Sequence, residues 1–139
     1  DINFTKDDLH LIASASHNAY EKKFGYIHKR SLSISKKSSD LKGSDFLIKK
    51  GSTSPKVNYH IRFHLYPGIS ATETIGGNSI LIQIDKNKSL IFSSPNQKIS
   101  LEKSIFLGRN QILNNFCITI NGNLSDKSQT IDWEIKKNN

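Results

Sequence analysis

The chain has 139 residues, 35% of them hydrophobic and 23% charged, with a net charge of +8. This length suits a domain with one core, and the modest apolar share predicts a thin two-layer core; it is too high for a disordered chain. No Met occurs, so Asp1 is expected to be a processed end or the edge of a trimmed segment. Asp1-Ile2-Asn3-Phe4 carries neither the basic n-region nor the apolar h-region of a signal peptide, and no apolar run approaches the length of a membrane helix. Cys117 is the sole cysteine, which excludes an internal disulfide and a cysteine-based zinc site; within Phe116-Cys117-Ile118 it reads as a small buried side chain.

In chain order, short alternating or β-branched runs recur every eight to twelve positions between Gly, Asn, Asp, Ser and Pro punctuation. Strands are expected at Leu9–Ala15, at Tyr26–Ser35 and at the short run Phe46–Ile48, with a change of face through a bulge near the start of the second. Tyr59–Tyr66 alternates cleanly, with Ile61, Phe63 and Leu65 on one face and His60, Arg62, His64 and Tyr66 on the other. Further strands follow at Ile69–Ile75, Ser79–Ile84, Ser89–Ser93, Lys98–Leu107, Asn114–Asn121 and Thr130–Lys136. Gly76-Gly77-Asn78 and Asp85–Lys88 read as hairpin connections. Lys36–Ser44 and Lys49–Pro55 read as polar loops and Lys137–Asn139 as a frayed tail. Helix is limited to a turn or two at Lys6–Asp8 or Asn18–Lys23. The expected fold class is all-β, an antiparallel β-sandwich of about ten short strands with little or no helix.

The positive charge invites nucleic acid, an anionic membrane or an acidic polysaccharide. Only three Arg occur (30, 62 and 109), while Lys sits mostly in turns and tails, which argues against a base- or phosphate-reading surface. Among the five His (10, 17, 28, 60 and 64), His60 and His64 are too far apart on one strand, ~13 Å, to hold one metal ion. His17 ends the first strand and His28 opens the next. If those strands form a hairpin, His17, Tyr20 and His28 converge at one rim, an imidazole and phenol set suited to proton transfer. Trp133, in phase with Ile131 and Ile135, reads as core. No Walker loop, nucleophile elbow, His-Glu-x-x-His helix or dinucleotide glycine pattern is present.

The ordered set Ser16-His17-Asn18-Ala19-Tyr20, Phe24-Gly25-Tyr26-Ile27-His28-Lys29-Arg30-Ser31-Leu32, Leu41-Lys42-Gly43-Ser44-Asp45, Arg62-Phe63-His64-Leu65-Tyr66-Pro67 and Leu101–Gly108 resembles the C-terminal region of heparinase II/III-like proteins of the alphaproteobacterial kind. That resemblance implies a C-terminal antiparallel sandwich, residues 1–139, cut from a longer two-domain protein whose N-terminal α/α toroid is absent here. It implies a parent polysaccharide lyase that cleaves uronic-acid-containing chains by β-elimination, in the periplasm or at the cell surface, with this piece inactive and structural or substrate-supporting. It places the family's catalytic Tyr in the absent toroid and leaves His17 as the best candidate for an active-site histidine here. With the convergence at one rim, His17, Tyr20 and His28 are the catalytic candidates, and Arg30, Arg62 and His64 the substrate-binding ones. It also makes His17 a zinc-ligand candidate in the full-length parent, the other ligands lying before Asp1; no cofactor is expected in the fragment. The sequence departs from the family where His-Asn-Ala-Tyr replaces a common His-Asp-Gly-Tyr, and where Tyr66 stands in place of a third His. The expected partners are the missing toroid and an anionic polysaccharide. The alternative from another class is a free-standing carbohydrate-binding or scaffolding β-domain, which predicts an exposed apolar patch; a basic nucleic-acid-binding domain is the third reading.

Overall fold

The computed structural model describes residues 1–51, 57–108 and 110–138. The described residues form an antiparallel β-sandwich of eleven strands in two sheets, with one helical turn. The strands are β1 (Ile2–Lys6), β2 (His10–His17), β3 (Tyr26–Ser35), β4 (Leu41–Lys49), β5 (Asn58–His64), β6 (Ser70–Glu73), β7 (Ser79–Asp85), β8 (Lys88–Ser93), β9 (Lys98–Gly108), β10 (Gln111–Asn123) and β11 (Gln129–Asn138). The turn α1 (Glu21–Phe24) is closed by Gly25 in the left-handed conformation, φ 73°, which glycine adopts without steric penalty. Among the described residues no helix is long and apolar enough to cross a membrane.

The chain divides into two compact units, Asp1–Asn58 with Asn123–Glu134, and Tyr59–Gly122 with Ile135–Asn139. In the first, β1-β2-β3-β4-β11 are successive neighbours. The register alternates side chains strictly. Ile2, Phe4, Leu11, Ala13, Ala15, Leu32 and Ile34 share one face, whereas Asn3, Thr5, Ser14, Ser16, Ser31, Ser33 and Ser35 share the other. One face is therefore largely apolar up to its histidine and arginine end, and the other is rich in half-buried serines with Ile12 and Ile27 among them. In the second unit, β8-β7-β6 belong to one sheet and β5-β10-β9 form the other, with Phe63 of β5 packing on Phe92 of β8 at 4.9 Å between ring centroids. Ile80, Ile82, Phe92, Ile99, Ile118 and Ile120 make this unit's buried core, and Cys117 is fully buried, as its apolar neighbours implied.

Several sequence expectations are corrected. β1 was not anticipated: all five of its residues are exposed, so it lacks the half-buried signature of a strand, yet it pairs along its full length with β2. β4 begins at Leu41, so the loop expected over 36–44 is strand in its last four residues; Lys42 and Ser44 are the outward members of an alternating strand. No bulge interrupts β3, whose pairs with β4 run from Tyr26↔Lys49 to Ile34↔Leu41 without a shift. The polar residues at its start line a cluster on the same face as the later apolar ones. Lys6–Asp8 is not helical, β10 starts three residues before the expected strand, and Lys137 and Asn138 belong to β11 instead of a frayed tail. Arg109, Asn139 and most of the loop expected at Lys49–Pro55 lie outside the described residues.

Candidate functional site

The β2–β3 hairpin places His17 directly opposite His28, and β3–β4 pairing places Arg30 directly opposite Asp45. These four residues occupy the apolar face at its end nearest α1. Asp45 is fully buried and is the hub. Its Oδ1 accepts from His28 Nε2 at 2.7 Å and from Arg30 Nε at 2.8 Å; its Oδ2 accepts from Arg30 Nη2 at 3.1 Å and from Trp133 Nε1 at 2.9 Å. Four donors thus surround one carboxylate, the arrangement that makes a buried charge tolerable. Burial alone would raise the Asp45 pKa, but the hydrogen bonds from His28, Arg30 and Trp133, with the Arg30 charge, hold it below the usual value. Asp45 is therefore ionised at neutral pH.

A fixed donor at the outer end sets proton positions along the cluster. The Ala19 backbone N–H points at His17 Nδ1 from 3.3 Å, so Nδ1 accepts and the His17 proton sits on Nε2. His17 Nε2 lies 3.2 Å from His28 Nδ1 and donates there. His28 then carries its proton on Nε2, which donates to Asp45. The direction is Ala19 to His17 to His28 to Asp45, and the carboxylate, an obligate acceptor, agrees with it.

Around this relay, Tyr20 meets the His17 ring edge-on at 5.1 Å and is 46% exposed; no described residue hydrogen-bonds its hydroxyl. Trp133 is buried, as its phase with Ile131 indicated, and lies over Gly43, where any Cβ would overlap its indole. Gly43 in the Leu41–Asp45 motif is thus required by close approach. The Arg30 guanidinium lies 5.8 Å from the Trp133 ring centre, a cation–π contact.

The structure therefore brings together His17, Tyr20, His28 and Arg30, the four candidates from the first two sequence motifs. Sequence reasoning missed Asp45, the residue that organises them. Its signal is a carboxylate in phase with Gly43 and Leu47 on β4, whose first four residues read as loop in the sequence. Arg62 and His64 lie in the second unit, on β5: Arg62 reaches Glu102 at 3.8 Å and His64 Nδ1 lies 3.4 Å from Ser104 Oγ. His60 and His64 share that strand and face, and His60 contacts Asn121.

The described residues do not assemble a zinc site: no group of three His, Cys, Asp or Glu side chains lies close enough to hold a metal. Both ring nitrogens of His17 are engaged, so His17 would have to give up one bond to serve as a ligand.

An all-β sandwich with a carboxylate-anchored histidine pair at one end of a sheet is the class of domain that fold and site define. A family profile described as Heparinase II/III-like, C-terminal matches residues 2–134. The chain belongs to this family. No curated protein sequence matches the chain. Among solved structures, heparan sulfate lyase HepC from Pedobacter heparinus is similar with a TM-score of 0.80 and 12% identity, over 98% of this chain and 21% of that one. A heparinase III structure is similar with a TM-score of 0.72 and 13% identity, over 99% of this chain and 20% of that one. A putative aldose 1-epimerase from Escherichia coli shares the fold more loosely, with a TM-score of 0.56 and 10% identity, over 99% of this chain and 68% of that one. The chain thus spans about a fifth of the length of the lyase structures it matches, and at these identities the likeness is one of fold.

Proposed function

We propose that this chain is the C-terminal sandwich of a two-domain polysaccharide lyase whose N-terminal α/α toroid completes the active site, and that the sandwich alone is inactive. The reaction is β-elimination on a uronic-acid-containing chain. A base takes the proton at C5 of the uronate, the C5 electron pair forms the C4–C5 double bond, and the 4-O glycosidic bond breaks with a proton delivered to the leaving oxygen. The observation that carries this reading is the Ala19–His17–His28–Asp45 relay. Its outer end is His17 Nδ1, held by a 3.3 Å amide contact, and the Tyr20 ring, 46% exposed, meets the His17 ring edge-on at 5.1 Å. An imidazole acceptor and a phenol donor at one rim are what proton removal and return require. In this reading His17 and Tyr20 face substrate, His28 orients His17, and Arg30 lends positive charge near the uronate carboxylate. Arg62 and His64 bind the glycan elsewhere. A zinc ion in the full-length protein would draw its main ligands from residues outside this chain.

The test is an elimination assay of the full-length protein on acidic polysaccharides, following ultraviolet absorbance of the unsaturated uronate. Elimination by the full-length protein, strongly reduced in His17→Ala and Tyr20→Phe and absent from the isolated 139-residue chain, is the expected result. Elimination by the isolated chain, or none by the full-length protein on any uronate, contradicts the proposal.

A scaffolding reading is favoured by a separate observation. Ile2 is 89% exposed and Phe4 63% exposed, on the same face as Leu11, Ala13, Leu32 and Ile34. Such a patch marks a surface covered by a partner. We assign it to the upstream domain of the same protein, so the piece supports the lyase mechanically as well as chemically.

A further inference from the structure

The second unit carries an arrangement that the relay does not use. On the sheet β5-β10-β9, Phe63 faces the core, so His60, Arg62, His64 and, beyond the strand end, Tyr66 point the other way. The β9–β10 register sets Ser100, Glu102, Ser104 and Phe106 on the same side as Asn115, Cys117, Thr119 and Asn121. The outward side chains join across the sheet in four rows. His60 meets Asn121, whose Nδ2 donates to Ser100 Oγ at 3.3 Å. Arg62 meets Glu102 at 3.8 Å, His64 meets Ser104 at 3.4 Å, and Tyr66 meets Phe106 edge-on at 5.6 Å. Beneath them Cys117 and Thr119 are fully buried, so the rows roof over a floor of small side chains.

Three features distinguish this face from an ordinary solvated one. Tyr66 is 66% exposed at one end, an aromatic surface open apart from its edge-on contact with Phe106. Rows of amide, hydroxyl, imidazole and guanidinium groups offer both donors and acceptors, while Glu102 is the only carboxylate among them. Asn115, 7% exposed, donates from Nδ2 to Leu65 O at 2.7 Å, yet its Oδ1 is buried with no partner among the described residues. A buried acceptor left open is uncommon unless something supplies a donor.

We propose that this outer face of β5-β10-β9 is a binding surface for an acidic oligosaccharide. The Tyr66 ring takes the C–H face of a sugar, Arg62 takes a carboxylate by giving up its long, exposed contact to Glu102, and His60, His64, Ser104 and Asn121 take hydroxyls. The acidic class rests on the lyase reading together with Arg62 and Lys98, the latter set on the same side by its pairing with Asn121, against the one carboxylate Glu102; the polyhydroxylated, ring-stacking class rests on the geometry alone. No bond is made or broken here, so the surface holds a glycan without acting on it.

The experiment is calorimetric titration of the full-length protein with an oligouronate of defined length, against a neutral glucan oligomer of the same length. Tighter binding of the oligouronate, weakened by added NaCl, is expected. Tyr66→Ala should weaken it about tenfold, the scale of losing an exposed aromatic anchor, and Tyr66→Phe should restore it. Wild-type affinity in Tyr66→Ala, or equal binding of the neutral oligomer, overturns the proposal. If the protein eliminates uronates while Tyr66→Ala binds normally, this surface falls and the lyase reading stands. If Tyr66-dependent binding occurs without elimination on any uronate, the lyase reading falls and the surface stands.

Discussion

Two clusters in this chain contain almost the same residue types and behave differently. On β2–β4, His28 and Arg30, with Trp133, converge on Asp45, which is fully buried and accepts four hydrogen bonds, and His17 joins through His28. On β5, β9 and β10, two histidines and an arginine lie on an open face, and the arginine's carboxylate partner is 3.8 Å away with both side chains more than 40% exposed. The lesson concerns the acceptor. A desolvated carboxylate dictates the tautomer and orientation of every donor around it, while a solvated one leaves them free to exchange partners for a ligand. The first cluster is suited to hold a fixed proton arrangement at its rim, and the second to bind.

The comparison breaks most sharply at Asp45. Asp45→Ala strips the acceptor at once from Arg30, which is 36% exposed, from His28 and from the Trp133 indole N–H, and chemical denaturation should register a loss of about 2–4 kcal/mol. The same residue sets the acid response. Its folded-state pKa is depressed, so its contribution is complete above the ordinary carboxylate value of ~3.9 and is lost as pH falls through the lower folded value. Acid titration of Asp45→Asn should lack that part of the transition.

Gly43→Ala should follow, because a methyl there overlaps the Trp133 indole; overpacking of this kind costs about 1–3 kcal/mol, read as a lower unfolding midpoint. Trp133→Phe, which keeps an aromatic ring but removes the N–H donated to Asp45, should cost about 1–2 kcal/mol by denaturation. In the open cluster, Arg62→Gln should change stability by less than about 1 kcal/mol, since the Arg62–Glu102 pair is exposed and long. A large destabilisation there would erase the contrast between the two clusters.

The fold was legible in the sequence wherever one face is buried. The alternation of Tyr59–Tyr66 and the phase of Trp133 with Ile131 translate directly into β5 and β11, because burial on one side imposes period two. β1 was invisible because nothing buries it; its pairing with β2 depends on backbone hydrogen bonds, which leave no mark on side-chain pattern. For the site, the meeting of His17 and His28 followed from a hairpin between neighbouring runs. Asp45 did not follow. It lies 17 residues beyond His28 and 88 residues before Trp133, and only the order of strands brings the three together. The Leu41–Asp45 motif is visible in the sequence, but its carboxylate gains partners only with Lys42 and Ser44 on a strand.

The central claim is that a single hydrogen-bond direction runs from Ala19 through both histidines to Asp45. The most direct measurement is the tautomeric state of His17 and His28 at neutral pH, read from imidazole nitrogen chemical shifts and their couplings to ring protons. The expected result is a proton on Nε2 and an accepting Nδ1 in both rings. A proton on Nδ1 of either ring, or fast exchange between tautomers at both, would contradict it.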